Sequence, residues 1–133
     1  MSIIQKLQSI FSTHSETSEN HPQEELRSRY YKTTAKKAVE VIENVLKDMN
    51  GVTVTSVSSE RGEISVQVSK PRKAFMIITI ISVRPFETAV DFSVTTETPL
   101  PFDFGYSKNA ILSVYQKIDQ SLQYVGSGLN ASR

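Results

Sequence analysis

Residues 63–96 read EISVQVSKPRKAFMIITIISVRPFETAVDFSVTT, and their patterning decides the fold. Ile64, Val66 and Val68 alternate with Ser65, Gln67 and Ser69, which is the period of a strand with one face buried and one face wet. Lys70-Pro71-Arg72-Lys73 reads as a turn, and residues 74–84, AFMIITIISVR, as a second strand. Arg84-Pro85-Phe86-Glu87 turns the chain again. Val90, Phe92 and Val94 then alternate with Asp91, Ser93 and Thr95 in a third strand. Short turns between successive strands make an antiparallel meander.

The 74–84 strand breaks the alternation, because both of its faces carry large side chains. Either Phe75/Ile77/Ile81/Val83 or Met76/Ile78/Ile80 must point away from whatever packs on the sheet. An exposed row of that kind implies a covering element or a partner.

Upstream, Val52 and Val54, extending to Val57, mark a further strand, with SERG at 59–62 as its turn. Before it lies a helical pattern. Thr33 or Thr34 offers an N-cap hydroxyl, and Ala38, Val41, Ile42, Val45 and Met49 form an apolar face. That helix runs to about Asn50, and Gly51 stands where a left-handed residue closes a helix. RSRYYKT at 27–33 reads as a short first strand. Downstream, FDFGY precedes a second helix from about Ser107 to Val125, with Ile111, Val114 or Tyr115, Ile118, Leu122 and Val125 facing inward and Gly126 ending it. These elements predict an α+β domain, an antiparallel sheet of four to five strands with two helices packed on one face.

The chain has 133 residues, which fits one domain. Zero cysteines exclude a disulfide framework, a thiolate metal site and a cysteine nucleophile. Fifteen basic residues against fourteen acidic ones give a net charge of +1, which argues against a dedicated nucleic-acid binder. Residues 12–25, STHSETSENHPQEE, contain no apolar side chain and read as a flexible linker. The expected organisation is an N-terminal amphipathic helix over 1–11, a linker over 12–25, a domain over 26–125 and a flexible tail over 126–133.

Several residues carry candidate chemistry. Ile3, Ile4, Leu7, Ile10 and Phe11 recur at helical spacing. A stripe of about three turns is marginal alone and needs a surface to lie on: the domain itself, a second chain or a membrane. It is too short and too interrupted to span a bilayer, and the N-terminus lacks the pattern of a signal peptide, so the expected location is cytoplasmic. Arg27, Arg29, Lys32, Lys36 and Lys37 surround Tyr30 and Tyr31, a combination that binds phosphate or stacked bases where it is exposed. His14 and His21, both in the linker, leave the domain without a histidine for proton transfer. In the Asp103-Phe104-Gly105 triplet, Gly105 permits a tight bend, and Asp103 can accept backbone N–H bonds at the helix start.

RYYKTT, GVTVTSVSSERGEISVQV and FDFGYSKNAI together resemble small uncharacterised cytosolic proteins of spore-forming Gram-positive bacteria. The chain is also similar to a bacterial helix–meander–helix family of unknown function. That family carries an Asp-hydrophobic-Gly motif before its last helix, places that Asp103, Phe104 and Gly105 would occupy, with Asn109 further along. The resemblance implies the fold and no activity.

The residues therefore point to a non-catalytic intracellular binding or protein-interaction module, working without a metal or cofactor and partnered by a protein or a second copy of itself. The alternatives are a small apolar-ligand-binding protein with a pocket between sheet and helices, and a peripheral membrane protein anchored by residues 1–11.

Overall fold

The computed structural model describes residues 14–70, 72–97, 103 and 105–127. Strands β3 (Val52–Ser58), β4 (Glu63–Val68), β5 (Ala74–Arg84) and β6 (Glu87–Thr96) form the expected antiparallel meander. The sheet, however, has seven strands rather than four or five. Beyond β6 it continues through β2 (Arg29–Tyr31) to β7 (Tyr124–Ser127), while β1 (His14–Glu16) pairs with the far end of β6.

Alternate residues of the meander form one buried face. Ile64, Ile78 and Phe92 are lateral neighbours, as are Val66, Met76 and Val94. All six are buried, so each apolar row crosses three strands. Two helices cover this face. Helix α1 (Ala35–Lys47) begins at Thr34, which is extended and whose Oγ1 accepts the Lys37 N–H at 3.2 Å. Its buried residues are Ala38, Val39, Ile42 and Leu46. The helix is thus rotated from the expected face: Val39 and Leu46 point inward where Val41 and Val45 were expected. Gly51 does have φ of 77°, but the helix is capped at Asp48, and Gly51 instead opens β3.

Helix α2 (Tyr106–Ser121) buries Ile111, Val114, Tyr115 and Ile118, as the pattern predicts. It stops four residues early. Leu122 is extended, and Tyr124–Ser127 join the sheet against β2, where the end of the helix and the start of the tail were expected. An apolar Leu122 and Val125 satisfy either period, and the free edge of β2 decides for the strand.

The linker expectation over 12–25 also fails for its described residues. Ser15, Thr17 and Gln23 are buried, and Glu24–Leu26 form a 3₁₀ turn that seats Leu26 in the core. Composition misleads here because this segment is held by polar contacts. Asp91 of β6 accepts hydrogen bonds from Thr17 Oγ1 at 2.6 Å and Ser28 Oγ at 2.5 Å, pinning both ends of the 17–28 excursion. Thr17 Oγ1 in turn accepts from the Phe92 N–H at 2.8 Å. Ser15 and Ser107 share a hydrogen bond at 2.9 Å, and Lys108 pairs with Glu25 at 2.8 Å. Each of these hydrogen bonds is worth about 1 kcal/mol net, enough together to order a segment that buries little apolar surface.

Candidate functional site

Most of the expected basic and aromatic cluster is engaged within the fold. Tyr30 and Tyr31 are buried, which removes both as stacking platforms. Arg29 Nη1 donates to Asp119 Oδ2 at 2.7 Å, and Tyr31 Oη donates to Asp119 Oδ1 at 2.6 Å. The Arg29 guanidinium lies 4.5 Å from the Tyr115 ring centre and 5.4 Å from that of Tyr124. One carboxylate, one guanidinium and three rings thus lock β2, β7 and α2 together. Burial, and then the Asp119 carboxylate, push the Tyr31 phenol well above its ordinary value. Tyr115 is raised by burial and then by the charge of Asp91. Both phenols therefore stay protonated donors, Tyr115 to the Val90 carbonyl at 2.6 Å. Tyr30 donates to Glu19, and Arg27 Nε to the His21 carbonyl at 3.0 Å. Only Lys32, Lys36 and Lys37 remain exposed from the cluster.

Asp103 is buried at the start of α2. One carboxylate oxygen receives Thr96 Oγ1 at 2.6 Å and the Ser107 N–H at 3.2 Å, and the other receives the Gly105 N–H at 3.0 Å. Gly105 has φ of 81°. The pair therefore shapes the helix start as the sequence suggests, and its carboxylate oxygens are engaged there. Ile3, Ile4, Leu7, Ile10, Phe11 and Phe104 lie outside the described residues. Among the described residues, no group of three His, Cys, Asp or Glu side chains could hold a metal ion. No described helix is long and apolar enough to cross a membrane.

The arrangement best suited to binding lies elsewhere, between the helices and the β3–β5 end of the sheet. A groove of about 270 Å³ opens there. Its floor is apolar: Val68 and Met76 from the sheet and Val114 from α2 are buried. Met49, Val52 and Ala110 form the walls. Asn50, Lys70, Asn109 and Ser113, all exposed, stand at the mouth, and Tyr106 lies beside them with its hydroxyl donating to the Arg72 carbonyl at 3.1 Å. An apolar floor under a polar rim is the usual composition of a small-molecule site.

The groove follows from local geometry. Helix α1 ends at Lys47 and α2 begins at Tyr106, so neither covers the outer end of the meander completely. No motif marks its lining, because every lining residue belongs to an ordinary helix or strand pattern, although a pocket between sheet and helices was among the alternatives. Only the alternation of Val52, Val68 and Met76 toward one face hinted at which residues would share it.

No family model matches the chain, and no curated protein matches it. Among solved structures it is similar to a START superfamily protein from Mycobacterium smegmatis, with TM-score 0.50, 8% identity and coverage of 81% of this chain and 92% of that one. It is likewise similar to an HSP90 activator from Plasmodium falciparum, with TM-score 0.50, 7% identity and coverage of 85% and 99%. At such identities the likeness establishes a shared α+β fold, two helices against a large antiparallel sheet.

Proposed function

We propose that this chain binds a small amphipathic molecule in the groove between its helices and the outer end of the sheet. The observation that carries the reading is the groove's construction, a buried apolar floor of Val68, Met76 and Val114 beneath an exposed rim of Asn50, Lys70 and Asn109. Its volume sets the ligand's size. A cavity of about 150 Å³ holds one benzene, so 270 Å³ corresponds to about eleven non-hydrogen atoms. The apolar part occupies the floor, and a polar or anionic end meets Lys70 at the mouth. The ligand reading is thereby preferred to the interaction module as the main function.

Octanoate, with ten non-hydrogen atoms, is a suitable mimic. At about 0.4 kcal/mol per atom it gains about 4 kcal/mol, a Kd near 1 mM. Titration followed by amide NMR should produce saturating shifts at Val52, Val68, Met76 and Val114. Octanol should bind more weakly than octanoate, and Lys70→Ala should remove that difference. Ala110→Trp, which fills the groove, should abolish the shifts. Shifts that never saturate, that lie elsewhere or that survive Ala110→Trp refute the proposal.

A further inference from the structure

On the opposite face of the sheet, β5 presents Phe75, Ile77, Thr79 and Ile81 outward, with Val83 exposed in the bulge beyond them, settling which of its two apolar rows faces away from the helices. Phe75 is 40% exposed, Ile81 53% and Val83 44%. From Phe75 to Thr79 the row is a ridge one strand wide, and at Ile81 it meets Ala89 of β6, which packs with Tyr30 of β2 and Val125 of β7. Gln67, Ser65 and Glu63 flank it on β4, and Thr95, Ser93 and Asp91 flank it on β6, level with Phe75, Ile77 and Thr79. From Phe75 to Val83 it is about 26 Å long at about 3.3 Å per residue.

We infer that the N-terminal segment, residues 1–11, docks as a helix on this ridge of its own chain. Three observations converge. The first is attachment. His14 pairs with Thr95, and Thr95 pairs with Phe75, so the chain enters the sheet two strand spacings, about 10 Å, from the near end of the ridge. His14 and Thr95 are both exposed on the ridge's side and hydrogen-bonded at 2.7 Å. Ser12 and Thr13 span up to about 10 Å between Phe11 and His14, enough for Phe11 to reach Phe75.

The second is fit. Ile3, Ile4, Leu7, Ile10 and Phe11 form a narrow helical stripe about 15 Å long over the whole segment, which matches a ridge one strand wide. With Phe11 at Phe75, Leu7 falls near Ile77 and Ile3 near Thr79, where Glu63 stands across from the basic Lys6. Ile81, Val83 and the Phe86 tip stay uncovered.

The third concerns the other occupants. The exposed apolar area of the ridge is on the order of 300–400 Å², about half of what each partner brings to a standard interface, so a second copy seated here is undersized. The groove on the other face is out of reach by the same route, because α2 stands over β1 through the Ser15–Ser107 contact and the groove opens at the far side of β5.

The absence of cysteine permits a direct test. A nitroxide on Ser9→Cys, a polar position off the stripe, should broaden the amides of residues 75–81 in dilute full-length protein. A mixture of spin-labelled chains with isotope-labelled chains lacking the nitroxide should show no such broadening. Adding Leu7→Asp and Ile10→Asp to the spin-labelled chain should restore the 75–81 signals at least threefold while the rest of the spectrum stays in place. Broadening that appears in the mixture, that falls on the groove residues or that is absent throughout overturns the inference.

Discussion

Removing the Asp119 carboxylate should destabilise the fold and leave the protein's affinity for polyanions where it was. Asp119→Ala leaves two donors without their acceptor. Tyr31 is fully buried, so its hydroxyl has no route to water and costs about 1–3 kcal/mol when unpaired. Arg29 is 20% exposed and keeps its contacts with the Tyr115 and Tyr124 rings, so its share is smaller, about 1 kcal/mol. The total is about 2–4 kcal/mol, or a fall in Tm of about 8–16 °C for a chain of this size. Asp119→Asn keeps a carbonyl for one donor and should lose about half as much. Thermal unfolding by circular dichroism reads both, with Asp48→Ala as an exposed control expected to move by less than 0.5 kcal/mol. If Asp119→Ala proves as stable as the parent, the cluster is not the clamp described. If it instead weakens heparin or RNA retention at unchanged stability, the recognition reading of Arg29, Tyr30 and Tyr31 returns.

Three further outcomes follow from local geometry. Gly62→Ala should cost about 3 kcal/mol or more in urea unfolding, since its Cβ would sit 2.1 Å from the Ile80 carbonyl oxygen at a φ of +66°; Gly105→Ala, with open space around it, should cost only about 1 kcal/mol, and equal losses would contradict the argument. Phe86 has φ of 57° and is 67% exposed, so Phe86→Asn should stabilise by about 0.5–1 kcal/mol, and a loss in Tm would mean that the ring makes contacts worth more than its strain. Burial holds the His21 pKa below its ordinary 6.5, and its Nδ1 accepts the Gln23 N–H at 3.0 Å. The unfolded chain therefore binds this proton first as pH falls, so stability is full above pH 6.5 and declines below it until the folded ring also titrates. The drop in urea midpoint between pH 7.5 and 5.5 should shrink in His21→Gln, and an identical drop would remove His21 as its source.

Period-two and 3.6-residue patterning carried the meander, both helix positions and the Thr34 cap, because those elements are specified locally. Three features escaped. β1 escaped because its pairing depends on β6, some eighty residues away, and its one inward side chain is a serine, Ser15, bonded to Ser107. β7 escaped because Leu122 and Val125 suit a helix as well as a strand, and only the open edge of β2 distinguishes them. The Arg29–Tyr31–Asp119 cluster escaped because charge and aromaticity in sequence do not reveal which side of a strand faces the core. The Asp103–Gly105 loop was legible, since a short acid two residues before a helix and a glycine at the bend both act through nearest neighbours.

The groove and the ridge share one strand. β5 turns Met76 into the groove floor and Phe75 to the other face, one residue apart, so the sequence AFMIITIISV must serve two apolar environments at once. A strand with one wet face would place serine or threonine at the odd positions, as β4 and β6 do at Ser65, Gln67, Ser93 and Thr95. β5 departs from that rule along its length, and nothing in the core requires it, because Ala74, Met76, Ile78 and Ile80 already fill the inner row. The outer apolar positions therefore need a separate reason. Exposed β-branched side chains on a long strand are an aggregation hazard unless something covers them. A covering segment tied to the same chain meets that need over Phe75 and Ile77 without a partner. Its attachment beside Thr95 gives the ridge an occupant at high effective concentration, so a weak helix–sheet contact of a few side chains is enough to hold it.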